Sequence, residues 1–206
     1  VYDVLPDEVD YEIDTGAPMC TRPTTLAGFR ASMDGAQVVP PNGLSASGLA
    51  TFVLDLEAGR LTFGLNVFDL SGTVTAASLA SGPAGANGPP LVSLYAGGGV
   101  FDETRPLVGS VVLTPAQVAA LVANPTGYYI VVQTSGAPAG EIRGQLAQTR
   151  NAPLQCDLGS MGPVGAAYRD RLGDDGRRSF DIWVRARPET FSDTTITNVA
   201  LVVSTT

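Results

Sequence analysis

The stretch LATFVLDLEAGRLTFGLNVFDL, residues 49–70, constrains the fold more than any other. Ala50, Phe52, Leu54 and Leu56 recur at every second position. After a polar turn at Glu57–Arg60, so do Leu61, Phe63, Leu65 and Val67. Side chains of a strand alternate between its two faces, so this period marks two strands, each with one apolar face. Joined by a short turn, they read as a β-hairpin. A lone hairpin is marginal in water, so the rest of the chain must supply further strands. GSVVL (109–113), YYIVVQT (128–134) and EIRGQLAQ (141–148) have the right composition. One helix is predicted: Thr114 caps it, Pro115 takes its first position, and AQVAALVA carries it to Asn124–Pro125. Its surface is nearly all apolar, which predicts packing on the sheets. The fold class is all-β: an antiparallel, Greek-key-like β-sandwich with one short helix and strand extensions at both ends.

Three zones divide the chain: an acidic leader (1–25), a body of short strands (26–149) and a tail (150–206). In the leader, Val9, Tyr11 and Ile13 alternate with Asp10, Glu12 and Asp14, giving one apolar and one acidic face. Such a strand must pair, either in its own sheet or with a neighbouring subunit as an assembly strand anchored by Val9, Tyr11 and Ile13. In the tail, Phe180, Ile182 and Val184 face one way and Asp181, Trp183 and Arg185 the other. Val199 to Val203 is continuously apolar, as in a strand buried on both faces. A helix-like stretch lies at 165–172. The tail is too short for a separate core and is expected to pack on the body or to form a second small sheet with the leader.

The chain has no histidine, and every basic residue is arginine. The commonest general base, the commonest metal ligand and Schiff-base chemistry are therefore missing. No phosphate-binding loop, nucleophile elbow or zinc-type cysteine pair is present. Asp102/Glu103 and Asp174/Asp175 are adjacent carboxylates in Gly-rich loops, better read as solvated turns than as a glycosidase pair; a calcium ion at Asp174 and Asp175 is the alternative. The net charge of −8 disfavours nucleic acid and anionic membranes. No run of 18 apolar residues suggests a membrane span. Cys20 and Cys156 stand in polar, loop-like contexts and read as one disulfide of an oxidising compartment, the alternative being two buried free thiols. Closing so long a loop is worth roughly 4–5 kcal/mol by chain entropy. Tyr95, Phe101, Tyr128 and Tyr129 offer aromatic surface for a glycan. Trp183 with Arg185 and Arg187 on one strand face is the best surface-contact candidate; alternatively Trp183 covers a sheet of its own subunit.

The body carries marks of a known family. FRASMDGAQVVPP (29–41), SASGLATFVLD (45–55), TAASLASGPAGANGPPLV (75–92) and GYYIVVQTSGAPAGEIRGQL (127–146) run in order and resemble the CHRD domain, with GEIRGQL the most specific piece. The resemblance covers residues 26–149 and implies a β-sandwich-like module of secreted proteins, many of them bacterial. It also assigns motif roles to Asn87, Gly88, Glu141, Arg143 and Gly144. Glu141 and Arg143 lie two apart on a strand and so share a face; an ion pair or hydrogen bonds that anchor the 76–90 connection is the expected role. Where the family typically has His-x-His, this chain has Ser78 and Ala80, and where a histidine precedes the threonine it has Gln133. A site able to gather imidazoles has none, so neither metal nor other cofactor is expected.

These readings predict no enzymatic activity and an extracellular or cell-surface location after removal of a signal peptide. The expected role is structural, with copies of the chain as partners in a filament or surface layer built by strand addition. The alternative is a monomeric module binding an extracellular protein or glycan.

Overall fold

The computed structural model describes residues 2–4, 9–12, 20–21, 23–97, 101–102, 104–150, 153–156, 183–186 and 199–201. The leader contributes β1 (Tyr2–Val4), β2 (Val9–Glu12) and β3 (Cys20–Thr21). The body contains β4 (Leu26–Asp34), β5 (Ser47–Asp55), β6 (Arg60–Phe68), β7 (Val74–Ser81), β8 (Pro90–Tyr95) and β9 (Leu107–Val112). Helix α1 (Pro115–Ala123) leads to β10 (Tyr128–Thr134), β11 (Ile142–Gln145) and β12 (Ala147–Gln148). The tail gives β13 (Leu154–Cys156), β14 (Trp183–Ala186) and β15 (Val199–Leu201). All described strand pairs are antiparallel, and the all-β expectation holds.

The body is one nine-stranded sheet in the order β8-β7-β10-β11-β4-β5-β6-β9, with β12 on β4. It folds over so that its two end strands, β8 and β9, approach one another, nearly closing around a single core. The predicted hairpin is β5–β6. Asp55 Oδ1 accepts the N–H groups of Glu57 and Ala58, and Gly59 takes a φ of 65° that closes the turn. Alternation then lays a row of Phe29, Phe52 and Phe63 across β4, β5 and β6, each at most 3% exposed. The row ends at Gly109, where an added Cβ would meet the Phe63 ring at 2.8 Å. Leu79, Ile130, Val132 and Ile142 complete the core from β7, β10 and β11. Full burial of such side chains stabilises by about 1.5–3 kcal/mol each.

Three expectations are corrected. The connection at 76–90 is shorter than its composition suggests, because β7 runs on to Ser81 with Ala77 and Leu79 inward. Alanine and serine are weak strand formers, and pairing to β10 overrides that preference. The predicted strand at 141–148 breaks at Leu146, where the chain leaves β10 and continues on β4 alone. The helix has the expected capping box between Thr114 and Gln117, yet buries only Val118 and Leu121. Ala116, Ala119, Ala120 and Ala123 are exposed. Methyl groups give a helix high propensity without demanding a partner surface.

Outside the body, β15-β1-β13-β3 form a four-stranded sheet and β14-β2 a ribbon. β1 lies against β5 and β15 against β6. Thr51, Val53 and Thr62, which point away from the core, are buried on that side, each no more than 2% exposed. The helix-like stretch at 165–172 lies outside the described residues.

Candidate functional site

The GEIRGQL segment builds a cradle on the face of the sheet opposite the core. Ile142 points inward, so Arg143 points outward between β10 and β4. Gly144 must be glycine: an added Cβ would lie 2.5 Å from the Ser32 carbonyl oxygen of the adjoining strand. Arg143 is 2% exposed, and its guanidinium carbon sits 3.8 Å from the centre of the Tyr129 ring. Nη2 donates to the carbonyls of Pro83 (2.9 Å) and Ala86 (3.0 Å) and to Gln145 Oε1, and Nη1 donates to the carbonyl of Gln37 (3.2 Å). Burial draws this guanidinium below its usual pKa, and Tyr129 acts in the opposite direction.

The other fastenings converge on the same connection, residues 82–89. Gln145 Nε2 donates to the carbonyls of Gly82, Thr126 and Tyr128 at 2.7, 2.7 and 2.8 Å. The Tyr129 hydroxyl accepts from Gly88 N and donates to Gly88 O. Asn87 Nδ2 donates to the Val39 carbonyl at 2.9 Å. At Gly88 a Cβ would overlap the Ser81 carbonyl oxygen at 1.8 Å, so the loop closes tightly on β7. Arg143 therefore serves as a pin: one cation gathers carbonyls from two loops on the face of one tyrosine.

Glu141, fully buried, performs the matching task elsewhere. Its carboxylate accepts from Ser71 N (2.5 Å), Ser71 Oγ (2.9 Å) and Thr134 Oγ1. This ties the loop after β6 to the β10–β11 turn. The hydrogen bonds of Glu141 and of Arg143 go to different loops. Asn42 adds a further tie, its Nδ2 donating to the carbonyls of Gly140 and Glu141.

Ser78, Ala80 and Gln133 lie along the same outward face of β7 and β10, with Ala80 and Gln133 at positions four residues apart along the ladder. In the β7–β10 register Ser78 stands opposite Val131, Ala80 opposite Tyr129, and Gln133 opposite Ala76. Ala80 is 3% exposed, and Ser78 and Gln133 are half-buried. A hydroxyl, a methyl and a carboxamide do not fit a transition metal, which takes imidazole or thiolate in such a place.

The model of the CHRD domain matches residues 29–146, more than half of the chain. The chain belongs to the CHRD family. The cradle lies wholly within the CHRD domain, and the terminal sheets lie outside it. CHRD domains occur in secreted proteins, which makes this an extracellular-type module. Among the described residues, no helix is long and apolar enough to cross a membrane. No curated protein and no solved structure matches the chain.

The remaining sequence candidates fall in other places. Phe101 and Tyr129 are at most 4% exposed, and Tyr95 stacks edge-on against Phe101 with ring centres 5.8 Å apart. These aromatics serve packing and offer no flat glycan platform: Phe101, Tyr95 and Tyr128 pack on the core, and the ring of Tyr129 is covered by Arg143 on the outer face. Asp102 forms a local turn. The Thr104 hydroxyl, then the N–H groups of Thr104 and Arg105, hold its carboxyl below the usual value. Val9 and Tyr11 lie on β2, paired with β14 of the same chain; Trp183 stands opposite Glu12 and Arg185 opposite Asp10. Cys20 and Cys156 are directly opposite in the β3–β13 register. Ile13, Glu103, Asp174, Asp175 and Arg187 lie outside the described residues. Sequence reasoning missed Gln37, Tyr129 and Gln145 as parts of the cradle. The signal for Gln145 was its period-two spacing from Arg143, but its loop partners come from residues far along the chain.

Proposed function

We propose that this CHRD protein is a non-enzymatic structural subunit that assembles outside the cell into a filament or surface layer. Copies join by β-strand addition through the N-terminal leader. One observation carries the reading. Every described ladder outside the CHRD body joins a leader strand to a tail strand: β1 to β13 and β15, β3 to β13, β2 to β14. β1 fills a gap one strand wide between β13 and β15, which do not pair with each other. A tail that needs a leader to complete its sheet accepts the leader of a neighbouring copy by the same main-chain hydrogen bonds. The absence of lysine and histidine, and the use of Glu141 and Arg143 as loop clamps, support a role without catalysis.

Electron microscopy of the full-length protein tests this, beside a chain lacking residues 1–16 and a full-length sample assembled with excess peptide 1–16. Fibres or sheets are expected from the full-length chain, none from the truncated one, and shortened ones where the peptide caps the acceptor. Dispersed monomers from the full-length chain would overturn the reading.

A further inference from the structure

Leader exchange moves all four terminal ladders to the neighbouring copy as a set, and one of those ladders carries both cysteines of the chain. We propose that Cys20 and Cys156 form the covalent joint between subunits: the leader Cys20 of one copy bonded to the tail Cys156 of the next. The proposal rests on the assembly reading above and names the chemistry of its joint.

Geometry permits the bond. Cys20 and Cys156 are directly opposed on antiparallel β3 and β13, beside the Thr21–Gln155 pair. Directly opposed residues of an antiparallel pair have Cα atoms about 4.5–5.5 Å apart. That falls inside the range of about 4.4–6.8 Å that a disulfide spans. The position in the sheet favours a joint as well. β3 is the edge strand of β15-β1-β13-β3, only two residues long, and among the described strands pairs with β13 alone. So short a ladder holds weakly by hydrogen bonds, and a covalent link there fastens the end of the leader that follows the inserted β1. The cysteines bracket the CHRD body, one before it and one after it, so a bond between copies links each body to the next in a continuous covalent string. With no lysine in the sequence, amide cross-links between lysine and a carboxyl or carboxamide group are closed to this chain. The two thiols stay available for covalent cross-linking.

The chemistry is thiol–disulfide exchange with a small-molecule or protein disulfide as oxidant. One protein thiolate attacks that disulfide, forms a mixed disulfide and expels a thiolate. The second cysteine attacks the protein sulfur of the mixed disulfide and releases the other thiolate. Two protein thiols are oxidised with loss of two protons, and one external disulfide is reduced to two thiols.

The test co-expresses two full-length chains, Cys20→Ser and Cys156→Ser, in an oxidising compartment. Neither chain can form the bond within itself. Exchange predicts a covalent heterodimer on non-reducing denaturing gels, abolished by reductant, with a Cys20–Cys156 linked peptide by mass spectrometry. The wild-type chain should give a ladder of covalent oligomers. Fibres in the microscope with a wild-type chain that runs as an internally bridged monomer, and no heterodimer, would overturn the joint while leaving assembly in place. Monomers in the microscope with the same gel result would overturn both.

Discussion

The CHRD body and the terminal sheets are built by opposite rules. In the body, β4, β5 and β6 follow one another as a meander, and β7–β8 and β10–β11 are hairpins. Half of its ladders therefore join strands adjacent in the chain, the other half close within the same unit, and the two charged residues of its motif fasten loops there as well. In the terminal sheets, every described ladder joins one end of the chain to the other. The body brings its own partners. The ends depend on whichever leader reaches a given tail, and nothing in main-chain hydrogen bonding distinguishes the leader of the same copy from that of another. Under the assembly proposed above, this difference would put stability in the CHRD domain and exchange at its borders.

The largest effect should come from breaking the body at its pin. Arg143→Ala leaves the carbonyls of Gln37, Pro83 and Ala86 without their donor and strips the cation from Tyr129. The expected loss is about 3–5 kcal/mol, read from the urea midpoint at unchanged slope. Arg143→Lys should recover little of it, because an ammonium cannot reproduce a flat fork stacked on a ring. A loss below about 1 kcal/mol would show that the loops hold without the pin.

Removing residues 1–16 should cut the ends and spare the body. It takes away β1 and β2, leaving β13, β14 and β15 without those partners and uncovering the Thr51, Val53 and Thr62 side of β5–β6. Limited proteolysis should then cleave the tail quickly and leave a resistant core close to residues 26–149. The unfolding free energy of that core, read from its urea midpoint and slope, should fall by about 1–2 kcal/mol, the worth of the lost apolar cover. Rapid degradation of the whole chain would show that the body needs its borders, and the contrast between the two regions would fail.

The sequence made local features legible and distant pairings obscure. Period two fixed the 50–67 hairpin because each strand carries its own pattern, and Thr114 with Gln117 announced the helix start because a capping box is local. The GEIRGQL motif identified the family without revealing what its side chains touch. Arg143 meets loops some 60 and 106 residues away, and no periodicity encodes such contacts. β7 stayed hidden beyond Ala76 because Ser78 and Ala80 have the small side chains of a loop while pairing as a strand. The leader showed that Val9 and Tyr11 need a partner, and a small sheet with the tail is one of two readings, but no local pattern singled out the strand. The answer, β14, lies at the far end of the chain, where Arg185 stands opposite Asp10.

The smallest effect should come from the helix cap, and it sharpens the contrast because α1 lies on a crossing connection of the body. Thr114 Oγ1 accepts from Gln117 N at 3.3 Å, and Gln117 Oε1 accepts from Thr114 N at 2.8 Å. Thr114→Ala removes the side-chain half of this box and should cost about 1 kcal/mol. Val118 and Leu121 still anchor the helix, so the damage should be confined to fraying of its first turn. Hydrogen exchange should show faster amides at residues 116–118, with those of β4, β5 and β6 slowed less only by the small global loss and those of β1 and β13 unchanged relative to one another. Faster exchange across β1 and β13 beyond that global loss would mean that the body transmits a local defect to its borders. The two regions would then be one cooperative unit, and exchange of the leader would require opening the CHRD domain itself.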